Sequence, residues 1–269
     1  MPLFDSAPQI KNNNSFNSTI YIPSKKRFKI TYTINLLLNS DRKFFIVIEP
    51  QDKNDYLSKF NIKNLLIIDK NDQGISYVRN WIKNYSIKNN EDYHWQIDDN
   101  IKNFKKRSNN KNENIAGPVI LSNIENIVDK YTNIGIASPS HTVFAFAAKN
   151  EIEVNKQTYS CMLINNKIND VEFRNNVVED TDYNLQVLSK GFCTLLFKKL
   201  LIEKETTMKM AGGNTEISHS GNKRFIRSKG LCKNWPGHFR IIEKNGVKRI
   251  APSRIWSKFK QLPIPKETP

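Results

Sequence analysis

A chain of 269 residues, 38% of them hydrophobic, is long enough for one large α/β domain with its own core, and its formal net charge of +16 points to an anionic partner. No apolar run approaches the roughly 18–20 residues of a membrane span, and the first residues lack the basic-then-apolar order of a secretory signal. Cys161, Cys193 and Cys232 show no CxxC spacing, which argues against a zinc ribbon or a disulfide framework and leaves the expectation of a soluble cytoplasmic protein.

From the N-terminus, the Asn-rich stretch 11–18 reflects an AT-rich gene as readily as a function. Residues 18–23 form a β-branched run that ends in Pro23-Ser24-Lys25-Lys26-Arg27, a basic turn suited to phosphate, and a helical stretch follows over 31–38. Residues 43–49 (KFFIVIE) and 64–69 (NLLIID) are continuous apolar runs of the kind carried by strands buried on both faces, with a helical 52–60 between them. Strands alternating with helices predict a mainly parallel α/β sheet.

Residues 74–85 place Ile75, Val78, Ile82 and Tyr85 on one helical face, with Arg79 and Asn80 in the same helix. They lead to 94–101 (HWQIDDNI), an apolar strand that stops on Asp98, Asp99 and Asn100. Carboxylates at the end of a stiff strand offer hard oxygen ligands to Mg²⁺ or Mn²⁺ and leave positions open for a diphosphate. A solvated turn would use the same residues.

Residues 102–116 read as a polar connecting stretch, followed by strand-like runs at 117–121, 133–138, 142–148 and 158–164. An amphipathic helix over 175–190 holds Glu179, Asp180 and Asp182 in its first turn, where the helix dipole favours acids whatever they do, and Gly191 ends it as a C-cap glycine does. A strand candidate at 193–201 and a glycine loop at 211–214 precede a soft change near 218. His94 and His141 read as strand residues, and Trp95 as core.

Residues 219–269 carry 13 Lys and Arg against 2 Asp and Glu, whereas 1–218 carry 29 against 24. Aromatic residues at 225, 235, 239, 256 and 259 are interleaved with these cations, a pattern that suits a surface neutralising phosphates and stacking on unpaired bases. Lys223, Arg224, Arg227, Lys229, Lys233 and Arg240 are the candidate DNA contacts. A plain basic surface, or one facing an anionic membrane or glycan, is the alternative.

The order of these parts, with the segments YIPSKKR, GISYVRN, WQIDDN and VVEDTDYNLQVLSKG, resembles a GT-A glycosyltransferase, most of all the TET/JBP-associated glycosyltransferases of phages. These are relatives of the base J glucosyltransferase and put sugars on hydroxymethylated pyrimidines in DNA. The likeness covers about residues 18–218. It implies a GT-A, Rossmann-like domain over 1–218 and a basic segment over 219–269 that completes the site and contacts nucleic acid. The implied activity moves a sugar from a nucleotide diphosphate donor, a UDP-sugar foremost, to hydroxymethylcytosine or hydroxymethyluracil in DNA, within a phage-infected cell; the chain itself is expected to act as a monomer.

By resemblance, Asp98, Asp99 and Asn100 hold Mn²⁺ or Mg²⁺, with His238 ahead of His219 as a further ligand. Pro23, Ser24, Lys25, Arg27, Glu49, Arg79, Asn80 and Asp98 contact the donor. Asp180 is the general base and Glu179 its companion. The family's third acid is Asn100 here, which leaves a metal site of lower charge. The rival readings are a GT-A transferase acting on glycan, lipid or protein, and a catalytically silent DNA-binding relative.

Overall fold

The computed structural model describes residues 17–147, 150–205, 212–213, 223–244, 247–252 and 255–267. In chain order, β1 (Thr19–Pro23), α1 (Tyr32–Asn35), β2 (Phe44–Ile48), α2 (Lys53–Leu57), β3 (Leu65–Ile67), α3 (Ile75–Lys88) and β4 (Tyr93–Ile97) follow the alternation expected from sequence. Next come β5 (Ile101–Ser108), β6 (Lys111–Asn114), α4 (Gly117–Val128), β7 (Ile134–His141), β8 (Ile152–Val154), β9 (Cys161–Asn165), α5 (Glu179–Ser189) and β10 (Cys193–Lys204).

One mixed sheet runs β3-β2-β1-β4-β9-β7-β10-β5-β6, with β8 also paired to β10. β1 is parallel to both β2 and β4, and β7 is parallel to β10; β9 runs against β4 and β7. The carboxyl ends of β1, β4, β7 and β10 therefore share one edge with the amino end of β9. In open α/β sheets that edge is where ligands bind.

Alternation along the strands sorts side chains to two faces. Ile20, Ile22, Trp95, Ile97, Cys161 and Leu163 join Ile120, Leu121, Ile124 and Val128 of α4 on one face. On the other, Tyr21 packs with Val78 and Ile82 of α3, and Met162 and Ile164 pack with Tyr183 and Val187 of α5. Gly135 is where β7 comes closest to α5, because a Cβ there would lie 2.4 Å from Val187 and 2.8 Å from Ile168. Gly135→Ala is expected to destabilise the fold by about 1–3 kcal/mol, read as a lower urea midpoint at unchanged slope.

Several expectations are corrected. Residues 102–116 belong mostly to the β5–β6 hairpin, in which only Ile101 and Phe104 are buried. The remainder is rich in Lys and Asn because β6 is a sheet edge, where charge discourages pairing with another chain. The apolar run at 117–121 opens α4, since a short apolar run does not distinguish helix from strand. Residues 142–148, read as a strand, contain a 3-10 turn over Thr142–Ala147 that leaves Val143 and Phe144 exposed. Gly191 does terminate α5, with φ +86°.

The described part of the basic segment packs on the domain. Helix α6 (Lys223–Asn234) precedes a hairpin of β11 (Phe239–Lys244) and β12 (Val247–Pro252). The chain then returns along the sheet. Asn155 donates to the carbonyls of Phe259 and Gln261, Asn133 to that of Leu262, and the Thr132 amide to that of Ile264. Among the described residues no helix is long and apolar enough to cross a membrane.

Candidate active site

At the end of β4 the Asp98-Asp99-Asn100 turn is pinned from two sides. The Asp98 amide donates to the Ser160 carbonyl at 2.7 Å, Thr33 Oγ1 to the Asp98 carbonyl at 2.6 Å, and the Ile101 amide to Thr33 Oγ1 at 2.9 Å. The Asp98 carboxylate receives Arg79 Nη2 and Lys204 Nζ, each at 2.8 Å, and Lys204 also donates to Ser160 Oγ. Burial acts to raise the Asp98 carboxyl, but Lys204 and Arg79 outweigh it and hold the group well below the usual carboxylate range. Asp99 receives Arg27 Nη1 at 2.6 Å and Ser24 Oγ at 2.8 Å; there burial prevails and the carboxyl is raised.

The basic turn after Pro23 is held by its own acids. Lys25 pairs with Glu49 at 2.8 Å and Asp72 at 2.5 Å, and the buried Glu49 also receives Gln51. Gly212 and Gly213 lie flat across this turn, with the Gly213 amide donating to the Lys25 carbonyl and Arg27 Nη2 to that of Gly212. A Cβ on Gly212 would sit 2.8 Å from the Lys26 carbonyl oxygen and 3.0 Å from that of Lys25, and φ is positive at both glycines. Glycine is thus required for the close approach. Asn80, expected to reach the donor, has both amide atoms on the Phe173 backbone and so fixes the segment leading into α5.

Asp180 sits in the first turn of α5, half-buried, accepting the Thr181 amide at 2.6 Å. Burial, and after it the Glu179 carboxylate, pushes Asp180 up to about 6; Arg79 and Asp98 also act on it, which places it within electrostatic reach of the strand-end carboxylate. Glu179 is ion-paired with Arg227 of α6, whose Nε donates to the Val177 carbonyl. Asp182 is fully buried and takes Arg174, Gln186 and Trp235, a packing role.

Two residues that were not among the expected site residues belong here, one of them the His141 read as a strand residue. Lys204 ends β10, and His141 ends β7 with its Nε2 buried and lacking a hydrogen-bond partner. Burial and then Lys204 hold the His141 imidazole neutral, down to about 4. Their only sequence signal was a polar residue at the carboxyl end of an apolar strand. His238 is engaged by Lys258 at 2.9 Å, and no contact joins it to Asp98, Asp99 or Asn100; His219 lies outside the described residues. Of the expected DNA contacts, Arg227 faces Glu179, Lys229 lies over Phe225 at 4.9 Å, and Lys233 and Arg240 are exposed. The side chains of Lys223 and Arg224 lie outside the described residues.

A divalent cation would find few but suitable protein atoms. Asp98 offers carboxylate oxygen, and Asn100 Oδ1 is buried without a partner, a set that suits Mg²⁺ or Mn²⁺ completed by phosphate and water. Among the described residues no cluster of three His, Cys, Asp or Glu is placed to hold a metal. The Lys204 ammonium competes for the same Asp98 oxygen. Lys204→Gln is therefore expected to tighten Mn²⁺ binding roughly 10-fold, about 1.4 kcal/mol, measured by electron paramagnetic resonance of free Mn²⁺.

A mainly parallel α/β sheet with a basic turn, a strand-end carboxylate pair and a half-buried acid along one edge is the layout of the GT-A nucleotide-sugar glycosyltransferases. The model of the TET-Associated Glycosyltransferase family matches residues 18–213, and the chain belongs to that family. It is a glycosyltransferase whose implied partner is a sugar nucleotide. Compared with curated proteins, the chain matched none.

Proposed function

We propose that this glycosyltransferase moves a sugar from a nucleotide diphosphate donor, a UDP-sugar foremost, to the hydroxyl of a 5-hydroxymethyl pyrimidine in DNA, within a phage-infected cell. The observation that carries the reading is the pairing of two unlike carboxylates across one edge of the sheet. Asp98 is held ionised by Arg79 and Lys204, whereas Asp180 is raised to about 6 and suited to take up a proton. Environments that push two acids apart in this way assign them different roles.

Arg27, Arg79 and Lys204 orient the diphosphate and stabilise the negative charge that develops as the bond to the anomeric carbon breaks. Asp180 accepts the acceptor hydroxyl proton as the new carbon–oxygen bond forms, and Glu179, held by Arg227, positions it. Mn²⁺ or Mg²⁺, held by Asp98 and Asn100, would add neutralisation of the leaving group. The formal charge of +16 and the family's association with TET support DNA as the acceptor. An acceptor in a duplex must be met along the major groove or flipped out.

The test is transfer from labelled UDP-sugars and other sugar nucleotides, with Mn²⁺ or Mg²⁺, to DNA containing hydroxymethylcytosine, hydroxymethyluracil or only ordinary bases. Label confined to hydroxymethylated DNA is expected. Donor hydrolysis with no label in any DNA would reject the acceptor and direct the search to glycans, lipids and proteins.

A further inference from the structure

We infer that Phe144, Tyr159 and His141 form an acceptor subsite that stacks on one unpaired or flipped-out nucleobase. The inference rests on the DNA reading above and deepens it by naming the side chains that hold the base. The three rings form one cluster at the mouth of the site. Centroids are 4.4 Å apart for His141 and Tyr159, 6.3 Å for His141 and Phe144, and 6.5 Å for Phe144 and Tyr159, the last pair edge-on at 82°.

Phe144 is 52% exposed and its neighbour Val143 71%. An apolar ring left in water beside charged groups is a surface awaiting a flat partner. The cluster shares a wall with the diphosphate site, since Tyr159 precedes Ser160, whose carbonyl receives the Asp98 amide and whose hydroxyl receives Lys204. Asp180 is close enough to act on the Tyr159 hydroxyl. His141 Nε2 is buried and His141 and Tyr159 are half-buried, so Phe144 is the ring of the three most open to a base. Every base has a π-face and its strand is a polyanion, which matches an aromatic cluster on a chain of net charge +16.

The test uses the full-length protein. Phe144→Ala is expected to raise the KM for a single-stranded hydroxymethylated oligonucleotide about 10-fold with kcat within about 3-fold, and Phe144→Trp to restore it. Phe144→Leu, which keeps apolar bulk without a π-face, should behave as the alanine variant does. Independently of transfer, a 2-aminopurine base at the acceptor position should lose fluorescence on the wild-type protein and keep it on Phe144→Ala.

A wild-type protein that leaves the probe unquenched overturns the subsite. So does a Phe144→Ala protein, with wild-type circular dichroism, whose KM and quenching are unchanged. Quenching that depends on Phe144 with no label entering DNA would support the base site and reject the transfer reading. Label entering DNA regardless of Phe144 would do the opposite.

Discussion

Asp180→Asn is expected to lower kcat for sugar transfer by about a thousandfold, the upper part of what a positioned general base contributes, while donor affinity stays close to that of the wild type. The substitution keeps the size of the side chain and an acceptor for the Thr181 amide, which Asp180 Oδ1 holds at 2.6 Å. What it removes is the capacity to take a proton. Donor binding is assigned to other residues, with Arg79 and Lys204 on Asp98 and Arg27 on Asp99. Near-normal transfer by Asp180→Asn would remove it from the base role and shift attention to Glu179.

The same carboxylate sets the pH response. With Asp180 pushed up to about 6 by burial and by Glu179, kcat/KM of the wild type should rise about tenfold per pH unit below that value and level off above it. Stability runs the opposite way. A carboxyl whose folded value is raised binds its proton more tightly in the native state, so the fold is penalised above about 6 and not below the unfolded value near 4. Asp180→Asn should therefore unfold at higher urea than the wild type at neutral pH, with the difference vanishing in acid. A variant that loses activity and also loses stability at neutral pH would mean that Asp180 is a packing residue.

Much of this arrangement was legible in the sequence, for physical reasons. Strands β1 and β2 are buried on nearly all sides, so each appears as a β-branched or apolar run, whereas β4 alternates apolar residues with the buried, hydrogen-bonded His94 and Gln96. The Asp98-Asp99-Asn100 turn, the basic turn at 23–27 and the acids of α5 are each local in sequence. Lys204 and His141 were not legible, because their importance comes only from register. Lys204 meets Asp98 across 106 residues, and His141 is aligned with Ile202 where β7 pairs with β10. The β5–β6 hairpin was hidden by its Lys and Asn content, which reflects a sheet edge. The role of the basic segment was half legible: its charge is plain, but the pairing of Arg227 with Glu179 follows only from how α6 packs.

The largest expected loss of stability lies at the other end of the strands. Glu125 of α4 is fully buried and accepts Arg42 through two bonds of 2.6 and 2.7 Å, Trp95 Nε1 at 2.8 Å and the Ser18 amide at 3.0 Å. Arg42 donates in turn to the Ser18 carbonyl at 2.9 Å, so one carboxylate ties α4 to β4, to the chain entering β1 and to the loop before β2. Glu125→Ala would strand a buried guanidinium and leave a cavity, at a cost of about 3–5 kcal/mol against a total of roughly 5–15 for a domain. Glu125→Gln keeps the volume and part of the bonding and should lose less. The pair Arg42→Met with Glu125→Leu should recover much of the alanine loss, because an apolar pair strands no charge. Urea midpoints of the four proteins decide the matter, and a Glu125→Ala loss below about 1 kcal/mol would refute the account. Because this network serves the amino ends of β1 and β4, whereas catalysis is assigned to the opposite edge, the folded fraction of each variant should turn over at the wild-type rate. Asp180→Asn and Glu125→Ala thus form a reciprocal pair, one losing activity with stability gained, the other losing stability with activity per folded molecule retained.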